Sequence, residues 1–434
     1  MRYKHKFILS TLLLMGSLHQ VEANELNGFL KYMHAGASNQ EGTIDKSSNV
    51  LGLELGYRYD LNENFSAKVT FMGVQPVGGD NNCPRVIGSK YSGVDGFATL
   101  GEAYLTYEDE KNEITLGRQK INTPLLASNP TNMTKETFIH VGTFEALRYQ
   151  REFTAQTSLD FSLISKYKHR TSQDFYDIGE NITGDTHLKS DYIALLGLQH
   201  AWNKSLSMQL WALKADALMQ TFYGELHYKT KVNHVGVALS LQGLSQNIDS
   251  STKNYSANPY LKVDNSSLIG AKIAFSHKGT KLMLATSRTG DSQIILPWDG
   301  SPAFTKICVT SAMTKSILGM GLKKYAGAYS ANTTAYKMAL IQSFARFGLP
   351  QLKGVAAYAH YNSQAASVNQ SNKMLYLKYD FENTLNGLSL AAAYTKINNF
   401  DARAKVGGVI NPNAWTIQDN QDYEHYKLML SYRF

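Results

Sequence analysis

The sequence predicts an all-β fold, a transmembrane antiparallel β-barrel of about 18 strands with short periplasmic turns and long extracellular loops. Three observations predict it. Apolar and polar residues alternate with a period of two along most of the chain. Short and long connections follow one another in order. The chain starts with an export-type leader and, beyond it, has no apolar run of about 20 residues, the length a membrane helix needs.

The leader comes first. Arg2, Lys4 and Lys6 precede a short apolar stretch at 7–18, and Val21-Glu22-Ala23 offers the small residues at which signal peptidase cuts. Residues 1–23 are therefore expected to be a signal peptide and 24–434 the barrel domain. A membrane anchor is the competing reading of the leader, but its apolar run is short for a span. An exported chain without a membrane helix is periplasmic, secreted or an outer-membrane barrel, and periodicity selects the last.

In residues 50–59, Leu51, Leu53, Leu55, Tyr57 and Tyr59 share one face of an extended chain, while Gly52, Glu54, Gly56 and Arg58 share the other. The first face suits lipid and the second water. The pattern recurs at Ala67/Val69/Phe71, Leu159/Phe161/Leu163, Leu206/Met208/Leu210, Val235/Val237/Leu239/Leu241, Leu375/Leu377/Tyr379/Phe381 and Leu388/Leu390/Ala392/Tyr394. A soluble sandwich can alternate in this way too. The connections separate the two cases. Short ones are expected at 60–64, 108–111, 202–205, 229–231, 277–280, 347–351 and 382–387. Long polar ones are expected at 36–48, 75–97, 120–143, 168–189, 244–266, 288–331 and 397–422. Tight turns at one end and excursions at the other mark an outer-membrane barrel.

Composition agrees. The 434 residues would make two or three soluble domains on length alone, but they also suit one closed sheet. The slightly negative mean hydropathy excludes a helical multi-span protein, whereas lipid-facing and water-facing strand residues average to such a value. Tyr (26) and Phe (18) far outnumber Pro (9), as strands favour aromatics and Pro cannot donate to a ladder. Two cysteines, Cys83 and Cys308, exclude a disulfide scaffold and an all-cysteine metal site.

At the far end, Tyr426, Leu428, Leu430, Tyr432 and Phe434 share a face, and Phe434 is the last residue. This resembles the terminal signal read by the barrel-assembly machinery, with Tyr432 and Phe434 as its aromatic positions. Tyr57, Tyr59, Phe65, Tyr107, Phe153 and Phe381 fall near strand ends, where an aromatic girdle meets the lipid–water boundary.

With these residues in view, the chain resembles the epsilonproteobacterial outer membrane porins, which include the Campylobacter major outer membrane protein and the Helicobacter outer-membrane proteins related to the OprD porins. The local matches are Gly117-Arg118-Gln119-Lys120-Ile121-Asn122-Thr123-Pro124 and Pro297-Trp298-Asp299-Gly300-Ser301-Pro302-Ala303-Phe304-Thr305. The resemblance implies an 18-stranded barrel, commonly a homotrimer, whose third outer loop folds into the pore. Here that constricting loop is 121–142, carrying Lys135, Glu136 and His140.

Such a channel performs no chemistry. It offers a hole whose charges favour some solutes. Strand parity turns Glu54, Arg58, Lys68, Glu102, Arg148, Asp160, Lys166, Lys272, Lys337, Lys378, Lys427 and Arg433 inward, and nine of the twelve are basic. A cationic wall draws anions; lumen charges that only solvate and pair with one another are the plainer alternative. Counting along the strands puts Glu54, Arg148 and Lys272 near mid-barrel, Glu102 and Lys337 higher, and Arg58 and Lys68 nearer the periplasm.

Cys83 and Cys308 both fall in outer loops. Export permits a disulfide between them, and two separate thiols are the alternative. Asp291/Asp299 or Asp401/Asp422 would suit calcium, but no EF-hand spacing occurs and solvated loop charge explains them equally. No phosphate loop, nucleophile elbow or zinc-protease motif occurs, so no cofactor, resident metal or enzyme activity is expected. The net charge of +8 includes no basic run, which argues against nucleic acid. The expected function is an outer-membrane diffusion channel for ions and small hydrophilic solutes, in contact with outer-membrane lipid. An adhesin using the long loops at 75–97 and 288–331 is the alternative. A barrel phospholipase is a third reading without a local motif.

Overall fold

The computed structural model of the chain describes residues 26–39, 45–79, 96–129, 139–170, 172–178, 190–255, 264–296, 298, 300–307, 328–363, 369–382, 385–400, 405–406, 409–410 and 421–434. The leader at 1–23, Cys83, Cys308, Lys135, Glu136, Asp299 and Asp401 lie outside the described residues.

Eighteen long strands form one closed antiparallel barrel. In chain order they are β1 (Leu26–Asn39), β2 (Asp45–Asp60), β3 (Phe65–Gly79), β4 (Phe97–Glu108), β5 (Asn112–Gln119), β6 (Thr143–Thr154), β7 (Thr157–Lys168), β8 (Ile193–Ala201), β9 (Leu206–Ala215), β10 (Met219–Val232), β11 (Val235–Ile248), β12 (Ser266–His277), β13 (Thr280–Thr289), β14 (Thr333–Ser343), β15 (Leu352–Ser363), β16 (Gln370–Asp380), β17 (Leu388–Phe400) and β18 (Gln421–Arg433). Each pairs with the next, and β1 pairs with β18 from Phe29–Arg433 to Asn39–Tyr423. Gly28 and Phe434 exchange backbone hydrogen bonds of 3.0 and 3.2 Å at the seam. Closure leaves no open sheet edge, as a membrane-spanning sheet requires.

The period of two becomes an inside and an outside. On β10, Thr221, Tyr223 and Glu225 are buried, whereas Phe222 is 52% and Leu226 40% exposed on the opposite face. Leu116, Leu241 and Ile269 are likewise exposed, giving the barrel an apolar outer belt that suits lipid. The aromatics Tyr59, Phe65 and Phe153 are exposed at the turn end.

The turns correct the expectations in places. Residues 229–231 belong to β10, and the chain reverses at Asn233 and His234, whose φ values of 47° and 69° suit the two-residue hairpin turn that a twisted ribbon prefers. A tight turn at 155–156, between β6 and β7, carries no Gly or Pro to announce it. The loop expected at 36–48 shrinks, because β1 runs to Asn39 and β2 starts at Asp45. The loop end between β9 and β10 is only 216–218, so the short–long rhythm is not strict.

One parity assignment fails for a local reason. A bulge at Ser165 lets Lys166 pair with Glu145 while Ile164 pairs with Ala146. The extra residue reverses the faces beyond it. Tyr167 therefore turns inward and stacks on Phe144 at 4.7 Å, and Lys166 falls on the outward face opposite Glu145.

Candidate functional site: two inward segments and the charges between them

The interior is partly filled from two sequence regions, both entering at the loop end. The first follows β5. Residues 121–128 fold on themselves: Ser128 N donates to Ile121 O (2.7 Å), Thr123 N to Leu126 O (2.7 Å) and Asn129 N to the Asn122 side chain (2.9 Å). Ile121, Leu125 and Leu126 are fully buried, so this segment carries its own apolar anchor, worth about 1.5–3 kcal/mol per side chain. Its return limb seats Ile139 against Gly52 of β2, where a Cβ would overlap the Ile139 methyl. Gly52 is therefore needed for close approach rather than for its dihedral freedom.

The second segment, 290–307, follows β13. Gln246 of β11 holds it like a strand partner: its amide donates to Ile295 O and accepts from Ile295 N, both at 2.8 Å. Phe304 N donates to Gln242 (3.1 Å), Tyr361 Oη to Thr305 O (3.1 Å), and Lys337 Nζ to Lys306 O (2.7 Å). Backbone without regular structure must find partners when buried, and here the lumen-facing side chains of β11, β14 and β15 supply them.

The two segments meet. Ala127 N donates to Trp298 O (3.0 Å) and Ser301 N to Pro124 O (2.9 Å), while a Cβ on Gly300 would overlap the Leu125 carbonyl. The two short sequence matches noted above, 117–124 and 297–305, thus touch across the barrel interior. Beside their contact lies a cavity of about 530 Å³, walled by residues of β8–β10, β12–β14 and β16.

The charged residues sort into three groups. On the β2–β5 wall, Lys120 Nζ lies 2.5 Å from Glu54 and 3.2 Å from Glu102, and Lys68 lies 3.6 Å from Glu102. His140, wholly buried, faces Glu54 at 3.6 Å through Nδ1 and the Gly73 carbonyl at 2.8 Å through Nε2. Opposite charges alternate along this row, and the buried Lys168 is close enough to Glu54, Lys120 and His140 to interact with them electrostatically. On β6 and β7, Arg148 grips Asp160 through two contacts of 2.5 and 3.2 Å. The third group borders the cavity. Glu225 accepts from Gln209 (2.6 Å) and Tyr223 (2.8 Å), faces His227 at 2.8 Å, and stands 3.8 Å from Lys272. Lys272 also sits 3.8 Å above the Phe304 ring, a cation–π arrangement. Lys306 and Lys337 line the same cavity. Among the described residues, three ammonium groups therefore share it with one carboxylate, Glu225.

The predicted residues fall out as follows. Glu54, Lys68 and Glu102 come together in one cluster, organised by Lys120, which the parity count omitted because it follows β5. The expected step in height between Glu54 and Glu102 is replaced by a shared cation: Glu102 pairs through Thr70 with Gly56, beside Glu54. Arg148 is paired with Asp160. Lys272 and Lys337 are brought to one cavity. Arg58 lies at the turn end, exposed and paired with Asp60 at 2.9 Å. Lys378 pairs with Asp380 (2.8 Å) at the same end. Asp422, weighed above for calcium, is engaged by Asn398 (2.6 Å) and Lys396 (3.3 Å). Tyr432 faces outward, 6.1 Å ring to ring from Phe434. Sequence reasoning missed Gln246, Gln242 and Tyr361, whose role depends on the distant segment they bind. Two polar glutamines four apart on the inward face of β11 were the available signal.

The model of the family described as outer membrane porin, OprD family, matches residues 69–434. Among solved structures, Pseudomonas aeruginosa OccK9 (OpdG) superposes with a TM-score of 0.73 at 15% identity, covering 94% of this chain and 98% of that one. Pseudomonas aeruginosa OpdK with vanillate gives 0.70 at 13% identity, covering 94% and 98%. OccK2 (OpdF) of the same organism, in complex with glucuronate, gives 0.70 at 12%, covering 94% and 97%. Comparison with curated protein sequences finds no match.

Proposed function

The chain belongs to the OprD family of outer membrane porins, and on that premise we propose that it favours small anionic solutes, organic carboxylates among them. As a porin of the Gram-negative outer membrane it offers a water-filled path for passive diffusion of ions and small hydrophilic solutes. The observation that carries the anion preference is the cavity between the inward segments, where, among the described residues, Lys272, Lys306 and Lys337 stand against the single carboxylate Glu225. A net positive charge in a narrow opening with low-dielectric walls concentrates anions. The vanillate and glucuronate bound by two structural neighbours are both carboxylates of a size suited to about 530 Å³. The expected readout is an anion-selective reversal potential for purified protein in a planar bilayer under a potassium chloride gradient. The triple substitution Lys272→Gln, Lys306→Gln and Lys337→Gln moves it toward zero. A cation-selective wild type, or a triple variant indistinguishable from it, overturns the reading.

The same proposal extends to the remaining expectations. Segment 121–142 is the constricting loop, supported by its buried apolar anchor and by the seating of Ile139 and His140. Glu54, Arg58, Lys68, Glu102, Arg148, Lys272 and Lys337 tune conductance from the wall. Residues 1–23 direct export and are cleaved. Tyr432 and Phe434 engage the barrel-assembly machinery, and the finished barrel assembles as a homotrimer of the epsilonproteobacterial type. The two short sequence matches and the aromatic terminal strand support this part.

A further inference from the structure

The outer face of the barrel carries an apolar groove. It spans β8–β12 in the loop-end half of the wall and holds about 560 Å³. Its floor is a pair of glycines, Gly224 and Gly243, directly opposite each other on β10 and β11. A Cβ on Gly243 would meet nothing within 4 Å, so the floor is open space. Leu210 flanks Gly224 and Ile269 flanks Gly243 in the same register row or one step from it. Ile269, at 64%, is the most exposed large apolar residue among those described. The outward-facing lining is otherwise Leu, Phe and Ala, with Ser245 at the upper end.

Directly beyond the groove, toward the loop end, the outward face turns polar. On β9 the outward residues run Leu210, Ala212, Lys214, so the Lys214 Cα lies about 13 Å along the strand from that of Leu210 in the middle of the groove. The row through Lys214 continues with Gln220 and Asn247, both exposed and neither acidic. Arg288, exposed on β13, pairs with Ile269 at the other rim. On the same outward face Arg118 pairs with Glu145 at 3.3 Å and Lys396 with Glu424 at 3.0 Å and with Asp422 at 3.3 Å, whereas Lys166 on β7 and Lys373 on β16, strands outside the groove, have no ion pair among the described residues. Lys214 and Arg288 have no ion-pair partner among the described residues, and Asp216 and Asp291, close to them in the chain, pair with neither. A cation at the membrane boundary is stabilised by an anion from the lipid itself.

We infer that this groove holds an acyl chain of the phosphorylated glycolipid of the outer leaflet, with a phosphate of its headgroup at Lys214 and Arg288 bordering the same headgroup. The apolar trough and the unmatched cations above it lie in the order that such a lipid presents from tail to head. A second copy of the chain is the competing occupant, and it would bring no anion by necessity.

Native mass spectrometry of the full chain in detergent tests this with four added lipids: diphosphoryl lipid A, its dephosphorylated form, phosphatidylglycerol and phosphatidylethanolamine. Retention of diphosphoryl lipid A above the other three is expected. Gly243→Leu, which fills the trough, and Lys214→Glu, which reverses the charge, are each expected to lower that retention at least fivefold. Both variants should keep the wild-type single-channel conductance and heat-shifted gel mobility, which shows that they fold. Equal retention by Gly243→Leu, equal retention of the dephosphorylated form, or a preference for phosphatidylglycerol overturns the proposal. So does a smaller oligomer in Gly243→Leu, which would assign the groove to a subunit contact.

Discussion

Lys120→Met is the most informative single change in the wall. Lys120 contacts Glu54 at 2.5 Å and Glu102 at 3.2 Å, and Lys68 reaches Glu102 at 3.6 Å. Removing the Lys120 ammonium group changes the net charge of this row, which Lys168 also adjoins, by −1. An ion passing about 8 Å away would feel about 0.5 kcal/mol if the intervening medium behaved as bulk water, and about 2 kcal/mol at the effective dielectric constant of about 20 that suits protein sites. The cation gains and the anion loses this energy, so the two differ by about 1 to 4 kcal/mol, and at about 1.4 kcal/mol per tenfold the cation-to-anion permeability ratio rises by between about fivefold and about a thousandfold. The assay is the reversal potential under a potassium chloride gradient, with single-channel steps recorded to confirm an open barrel. Adding Glu54→Gln to Lys120→Met restores the original net charge of the row and should return the ratio to near wild type. An unchanged ratio in Lys120→Met channels that open normally, or a double variant that stays cation-shifted, refutes the idea that the net charge of this row borders the path.

The other predictions concern the clasp and the wall. Gly300→Val forces the 298–301 backbone off the Leu125 carbonyl; a larger single-channel conductance and a loss of about 1–3 kcal/mol in stability are expected, and unchanged conductance argues that the clasp does not narrow the path. Gln246→Ala leaves both backbone groups of Ile295 without their side-chain partner, at about 1–3 kcal/mol each, and hydrogen exchange at residues 294–296 should accelerate while that at 121–128 changes less. Arg148→Ala frees Asp160 from its bidentate partner and should shift ion preference toward cations; an unchanged reversal potential rejects Arg148 as a selectivity residue. The anion preference itself should weaken from 0.1 to 1 M salt, as the screening length falls from about 10 to about 3 Å; a preference independent of salt would assign it to direct coordination instead.

How much of this was legible depends on the range of the signal. The strand faces were legible because each residue's side depends only on counting along its own strand, and Glu54, Glu102 and Lys272 follow the count. Lys166 does not, because a single extra residue at Ser165 resets the count and nothing in Leu-Ile-Ser-Lys announces it. The turn at 233–234 was misplaced by a few residues because Asn-His is a weaker signal than Asn-Gly for two left-handed residues in succession. Lys120 was overlooked because it sits past the end of β5, where parity no longer applies.

By itself, the sequence determined that the chain is a closed membrane sheet with a polar interior and, up to the bulge that turns Lys166 outward, which wall residues face that interior. Periodicity along a strand is local, and local patterns survive in a one-dimensional record. Only the tertiary structure decided that residues after β13 fold in beside those after β5, that Gly300 rests on the Leu125 carbonyl, and that Gln246 grips Ile295. It also decided that most wall charges cancel in pairs while Lys272, Lys306 and Lys337 share one cavity. These are contacts between residues far apart in the chain, made by irregular backbone whose partners are set by where the barrel wall happens to place an amide, a hydroxyl or a gap without a Cβ.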